Sequence, residues 1–191
     1  MKKLGFNIVL LGMVASGKDT QANILKKKYP LKLVETGEHT RRLLKEKSED
    51  GDLARRTAGK GKPLHTALLQ KFLLKEINNK PTNKDLLFLG GRLKPEAQLL
   101  KKMIDSRGEK LLTFYISLPD KEVLKRSTSR NRDKQDEIYI KKRINWHKDQ
   151  VGKTVKYYQK LGLMRVINGN QPIPKVTKDI LREITKFKTS L

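Results

Sequence analysis

Short apolar runs alternate along the chain with longer segments in which apolar positions recur every three or four residues. Gly5 to Leu11, Leu31 to Glu35, Asp85 to Leu89, Leu111 to Ser117 and Met164 to Asn168 are mostly apolar on both faces and predict strands. Strands buried on both faces belong to parallel sheets covered by helices. The clearest helical pattern runs from about Asp136 to Leu161, with Ile140, Ile144, Val151, Val155 and Tyr158 on one stripe. Pro95 precedes Leu99, Leu100, Met103 and Ile104, and Pro174 precedes Val176, Ile180, Ile184 and Phe187, as first-turn prolines should. Strand and helix alternating five times predicts one α/β domain over residues 1–191, a doubly wound parallel five-stranded sheet flanked by helices. Thr36 to Asn79 reads without a strand, so residues 36–79 are expected to form a helical subdomain inserted between the second and third strands. Residues 130–136 are short, polar and charged, and read as a surface loop.

The first strand runs into Gly12-Met13-Val14-Ala15-Ser16-Gly17-Lys18-Asp19-Thr20, and a helical pattern follows. This fits G-x-x-x-x-G-K in its required context of strand, loop and helix. Glycines let backbone N–H groups turn inward around phosphate oxygens, the helix N-terminus adds its dipole, and the lysine ammonium reaches the β and γ phosphates. The common pattern has Ser or Thr directly after the lysine. Here Asp19 intervenes before Thr20.

Composition sharpens this reading. The chain has 44 Lys and Arg against 20 Asp and Glu, a formal net charge of +24. Such an excess suits a polyphosphate ligand, but also nucleic acid, a ribosome or an anionic membrane. The absence of cysteine excludes disulfides, a Cys-ligated zinc and a thiol nucleophile. No apolar run reaches the roughly 18 residues needed to span a bilayer, and no signal peptide is visible, so a cytoplasmic protein without a membrane partner is expected. His39, His65 and His147 lack metal-ligand spacing and, with the lone Trp146, read as packing or surface residues.

Over nearly its whole length the sequence resembles the adenylate kinase family of nucleoside monophosphate kinases, as a divergent, short-lid member. Against the family's G-x-P-G-S-G-K-G-T-Q the chain keeps Ser16, Gly17, Lys18, Thr20 and Gln21. Val14, Ala15 and Asp19 replace a proline and two glycines. Thr36-Gly37-Glu38-His39-Thr40-Arg41 stands at T-G-D-x-x-R, Gly61-Lys62-Pro63-Leu64 at G-K-x-V, and Gly91-Arg92 at the end of D-G-F-P-R. Leu118-Pro119-Asp120 with Arg126 and Arg130 resembles V-P-D...R-x-x-x-R, Arg132 and Arg143 stand where the family's two arginines after the lid belong, and Asn168-Gly169-Asn170-Gln171 resembles the turn over the adenine. The resemblance implies a P-loop fold and transfer of the γ-phosphoryl group of ATP to AMP or another nucleoside monophosphate, with Mg²⁺ and without zinc, by a monomer. By family position Lys18, Arg92, Arg126, Arg130, Arg132 and Arg143 are the catalytic set. Gly12, Ala15, Ser16, Gly17, Lys18, Asp19, Thr20, Arg126 and Gln171 would hold ATP. Thr36, Gly37, Arg41, Lys62, Leu64, Gly91, Arg92 and Glu96 would hold the monophosphate. Guanidinium forks suit this task because they bind two phosphate oxygens at once and never deprotonate.

Two departures stand out. Phe88 occupies the place of the family aspartate that orders the magnesium water shell, and phenyl cannot do that. Asp85 lies on the same strand but at its other end. Asp19, with Thr20 beside it, is the candidate replacement at the metal; an acidic residue in a first helical turn is equally what the dipole favours. Glu96 stands where adenylate kinases have Gln. An ionised Glu only accepts hydrogen bonds, which leaves AMP, CMP and GMP open as acceptors; Gln98 falls on another helix face. The sequence therefore carries two functional readings: an active ATP-dependent monophosphate kinase, or a catalytically weakened relative that binds RNA or a ribosome through its basic charge.

Overall fold

A computed structural model describes residues 2–60, 62–128 and 137–191 of the chain. Five strands, β1 (Asn7–Gly12), β2 (Leu31–Glu35), β3 (Asp85–Leu89), β4 (Leu111–Ser117) and β5 (Met164–Asn168), form one sheet in the order β2-β3-β1-β4-β5. Every pairing is parallel, with Ile8 opposite Leu87 and Leu112, and Glu35 opposite Leu89. Parallel pairing requires each connection to cross back over the sheet. Among the described residues the α-helices making up these connections are α1 (Lys18–Lys28), α2 (Thr36–Leu43), α3 (Glu49–Arg56), α4 (Thr66–Asn78), α5 (Lys94–Asp105), α6 (Asp120–Thr128), α7 (Glu137–Lys160) and α8 (Ile173–Thr189).

Successive strand side chains point to opposite faces, and both faces are covered. Val9, Leu11, Leu86 and Phe88 pack under α4, α5 and α7 with Leu73, Leu100, Ile104 and Tyr158. Ile8, Leu10, Leu87, Phe114 and Ile116 pack under α1 and α8 with Leu25, Val176, Ile180 and Ile184. The apolar runs carry no polar alternation for this reason. Each fully buried aliphatic side chain contributes about 1.5–3 kcal/mol.

The strands fall where the apolar runs place them, with one shift: β1 starts at Asn7 rather than Gly5. Gly5 has φ of 86°, and the backbone N–H groups of Leu4 and Gly5 donate to the carboxylate of Asp85 at 2.8 and 3.1 Å instead of to a strand. Asp85 is buried and lies at the N-terminal end of β3, away from the phosphate loop. Between β2 and β3 the described chain forms α2, α3, a 3₁₀ turn (Ala58–Lys60) and α4. No helix of the described residues is long and apolar enough to cross a membrane.

Asp85→Ala leaves the buried Leu4 N–H and the part-buried Gly5 N–H without their acceptor, at about 2–3 kcal/mol. The expected loss in melting temperature is about 5–10 °C, measured by calorimetry; an unchanged melting temperature would contradict the clamp.

Candidate active site

The loop after β1 turns on two left-handed residues, Ala15 (φ 60°) and Gly17 (φ 87°). Gly17 pays nothing for this conformation, whereas Ala15 is strained by its Cβ. Gly17 occupies the N-cap of α1 and offers no side chain to its first N–H groups. Those groups are unsatisfied within the helix and face the end of the sheet, the arrangement that binds anions. Gly12 is required by close approach: a Cβ there would lie 2.5 Å from Ser16 Oγ. That hydroxyl is buried and has no hydrogen-bond partner among the described residues.

Three cavities open around Arg92. One, of about 350 Å³, is lined by Gly12, Lys18, Arg92, Arg143, Trp146 and His147 among others. A second, of about 320 Å³, collects Thr36, Gly37, Arg41, Lys62, Leu64 and Glu96, together with Arg92 and Trp146. The third and largest, about 670 Å³, joins Lys18, Arg41, Arg92 and Arg143 to the carboxylates Asp19, Glu35 and Glu38. Arg92 lines all three. Gly91, at φ 66°, turns the chain from β3 toward Arg92. Gly90 admits Thr36, whose Oγ1 would lie 1.8 Å from a Cβ there.

Arg126 and Gln171 stand on the other side of the loop. Arg126 Nε donates to Glu122 at 2.7 Å and its Nη1 to the Gly169 carbonyl at 3.3 Å. Gln171 donates to Asp179 at 2.7 Å. A Cβ on Gly169 would come within 3.4 Å of the Ser16 carbonyl, so this turn abuts the phosphate loop. Thr20 follows Asp19 in the first turn of α1. Arg130, Arg132, the loop 130–136 and Gly61 lie outside the described residues.

The electrostatics of the site follow from burial among charges. Glu96 closes the N-terminus of α5 by accepting from Leu93 N–H at 3.3 Å. Burial raises its pKa, and the Leu93 N–H and the Arg92 charge only partly oppose this. Glu35 is likewise raised, by burial first and then by its hydrogen bond with Glu38 and the nearby charges of Glu38 and Asp19. Asp19 lies 3.4 Å from Lys18 Nζ. Among the described residues no three acidic or histidine side chains are grouped closely enough to hold a metal by themselves.

The reading of His147 as a packing or surface residue needs correction. It is 8% exposed, lines the cavity beside Lys18, and its Nε2 lies 3.4 Å from Tyr115 Oη. Burial, then the charges of Arg92 and Lys18, push its pKa down to about 4, so the ring is neutral at pH 7. Trp146, 43% exposed, lines two cavities at once rather than packing in the core. His39 does pack, stacked on Phe72 with 4.0 Å between ring centroids, and His65 accepts from Ala67 N–H at the start of α4. Two signals in the sequence pointed to the residues it did not yield. Glu35 ends a parallel strand, where ligands of open α/β sheets bind. His147 follows Arg143 by four residues and so shares its helix face.

The chain is similar to known proteins across this architecture. A family model described as adenylate kinase matches residues 10–163. An adenylate kinase of Flavobacterium psychrophilum is 31% identical over 188 residues, covering 95% of this chain and 99% of its own. One of Azobacteroides pseudotrichonymphae is 28% identical over 184 residues, covering 93% and 96%. One of Methanothrix thermoacetophila is 27% identical over 215 residues, covering 95% and 100%. With the phosphate loop, the parallel sheet and the model match extending from β1 to the end of α7, the chain belongs to the adenylate kinase family.

Proposed function

We propose that this protein transfers the γ-phosphoryl group of ATP to AMP. Family membership supports a nucleoside monophosphate kinase; what supports the finer reading is the position of Arg92, which borders the phosphate loop, the cavity of Thr36, Arg41 and Glu96, and the cleft between them. A guanidinium there meets both the donor and the acceptor phosphate. The loop N–H groups and Lys18 receive the triphosphate, and Arg41 and Lys62 the monophosphate. Arg92, Arg126 and Arg143 from the described residues, with Arg130 and Arg132 by sequence position, neutralise charge on the transferring group. That charge spreads over equatorial oxygens in the transition state, so catalysis rests on positioning and electrostatics.

Glu96 carries the choice of acceptor. Burial favours its neutral form, and a protonated carboxyl both donates and accepts. In that state it offers adenine N1 a donor and the adenine amine an acceptor, as a Gln amide does. Ionised, it would suit guanine or cytosine instead.

The family uses Mg²⁺ with ATP, and the donor set fits: Asp19, Glu35 and Glu38 are hard oxygen donors at the cleft beside Lys18. With Phe88 in the core, these carboxylates and Thr20 would hold the water shell of a magnesium ion bound with the triphosphate. Mg²⁺ supplies neutralisation of the phosphate oxygens.

His147 responds to the same phosphates. It faces Lys18, Arg92 and Arg143 in the cavity and Tyr115 on β4, whose hydroxyl feels Asp120. Anions seated between Lys18 and Arg92 offset the positive charges that add to burial in keeping the ring neutral. Nucleotide binding then favours a proton on His147, and the cationic ring donates to the Tyr115 hydroxyl.

ADP formation from ATP with AMP, CMP, UMP and GMP, with and without Mg²⁺, tests the reading directly. AMP is expected to be the best acceptor, with its lead over GMP and CMP growing as pH falls and Glu96 takes up a proton; Glu96→Gln is expected to flatten that dependence. A preference for GMP or CMP would mean an ionised Glu96, and no turnover with any acceptor defeats the kinase reading. Asp19→Asn combined with Glu35→Gln should raise the Mg²⁺ concentration for half-maximal turnover by about tenfold and weaken Mn²⁺ binding to the ATP complex by electron paramagnetic resonance. Unchanged metal dependence would sink the compensation. Calorimetric titration of ATP at pH 6 in buffers of different ionisation enthalpy should show proton uptake that His147→Gln lacks. The sign follows from the free ring: it is neutral down to about pH 4, so binding strengthens as pH falls toward 6. Equal uptake in the variant would place the proton elsewhere.

A further inference from the structure

The phosphate-facing residues leave most of the +24 charge without a role, and the fold gathers much of it at one place. Because the sheet is parallel and the crossover helices return antiparallel to it, strand N-termini and helix C-termini share the pole opposite the phosphate loop. The contacts agree. Lys188 at the end of α8 donates to the Lys3 carbonyl, Lys3 pairs with Asp85, and Lys80 after α4 pairs with Glu109 before β4 at 2.7 Å.

The carboxylates at this pole are already engaged. Asp85 takes two backbone N–H groups and Lys3, Glu109 takes Lys80, Arg107 and the Asn7 amide, and Asp105 takes Lys101. By contrast Lys26, Lys27, Lys28, Lys110, Lys160 and Lys188 are exposed, and none has a carboxylate within ion-pair distance among the described residues. The helix dipole favours a cation in a last turn, worth about 0.3–1 kcal/mol. That accounts for one lysine at the end of α1, whereas three consecutive ones repel each other. Between the ends of α5, α7 and α8 the same pole holds a cavity of about 310 Å³, with Lys101 and Lys110 at its rim and Leu161, Leu163 and Phe187 in its wall.

We propose that this pole binds single-stranded nucleic acid, with the exposed lysines along the phosphodiester backbone and the cavity beside Lys110 receiving a base. Single-strand sites combine a cationic track with apolar or aromatic platforms for bases, and both are present. An anionic membrane is the poorer fit: the apolar stripe of α8, Val176, Ile180 and Ile184, is spent on the core, leaving no amphipathic face to insert. The strands separate the pole from Lys18 by roughly 20 Å, beyond the Debye length of about 8 Å at physiological salt, so the surface and the nucleotide cleft act independently.

Fluorescence anisotropy of the full chain with a labelled 20-nucleotide single-stranded RNA tests this, alongside duplex DNA and phosphatidylserine vesicles. Binding is expected to weaken about 100-fold between 50 and 200 mM salt, the slope for some five phosphates, and to persist with saturating ATP. The combined variant Lys26→Gln, Lys27→Gln, Lys28→Gln, Lys110→Gln, Lys188→Gln should bind at least tenfold more weakly, with a shallower salt slope, while keeping its melting temperature and its ADP formation. Absence of RNA binding at 50 mM salt overturns the proposal. So do displacement by ATP, which puts the RNA in the cleft, unchanged affinity in the variant, and preference for vesicles over RNA.

Discussion

The pairing of β1 in parallel with both β3 and β4 is the constraint on which the rest depends. It seats the phosphate loop at the middle of the sheet edge, with the chain leaving β3 toward Arg92 on one side and the chain leaving β4 toward Arg126 on the other. Crossovers on either side of β1 run in opposite directions along the sheet, and the crevice between them is where open α/β sheets bind ligands. Reversing any one of these strands would send its loop to the far end and dismantle the cleft. The core on both faces holds this topology in place; the apolar alternate residues of β1 are needed on each.

Fixing the loop so centrally has a local cost. Ala15 adopts a left-handed conformation that a glycine would take freely, and the Ser16 hydroxyl is buried without a protein partner. Both are compatible with a segment shaped by its ligand rather than by its own stability, since strain and orphaned polar groups gather where a bound group relieves them. The carboxylates facing Lys18 follow the same logic. Burial, and then the hydrogen bond and charge of Glu38, disfavour the ionised form of Glu35, a tension that a cation would release.

Much of this was legible in the sequence because burial leaves a strong signature. Strands enclosed on both faces must be continuous apolar runs, and four of the five lie where those runs predict. The exception, the start of β1, was decided by a side chain distant in sequence: Asp85 takes the N–H groups that would have continued the strand. The phosphate loop was legible because glycine spacing and a lysine are local requirements. His147, Trp146 and Glu35 were not, since their importance depends on which face of α7 and which end of β2 meet the loop. Spacing of four from Arg143 marks a shared face but not its direction. The sequence offered the gap at Phe88 and Asp19 as its metal signals; that Glu35 and Glu38 line the same cavity as Asp19 follows only from folding.

Trp146 is a wall common to two compartments, the cavity beside the phosphate loop and the one that holds Thr36, Arg41 and Glu96. A ligand that pushed the indole out of one compartment would press it into the other, so occupants of the two would be thermodynamically linked through one side chain. By reciprocity, whatever factor the first applies to the affinity of the second is returned unchanged.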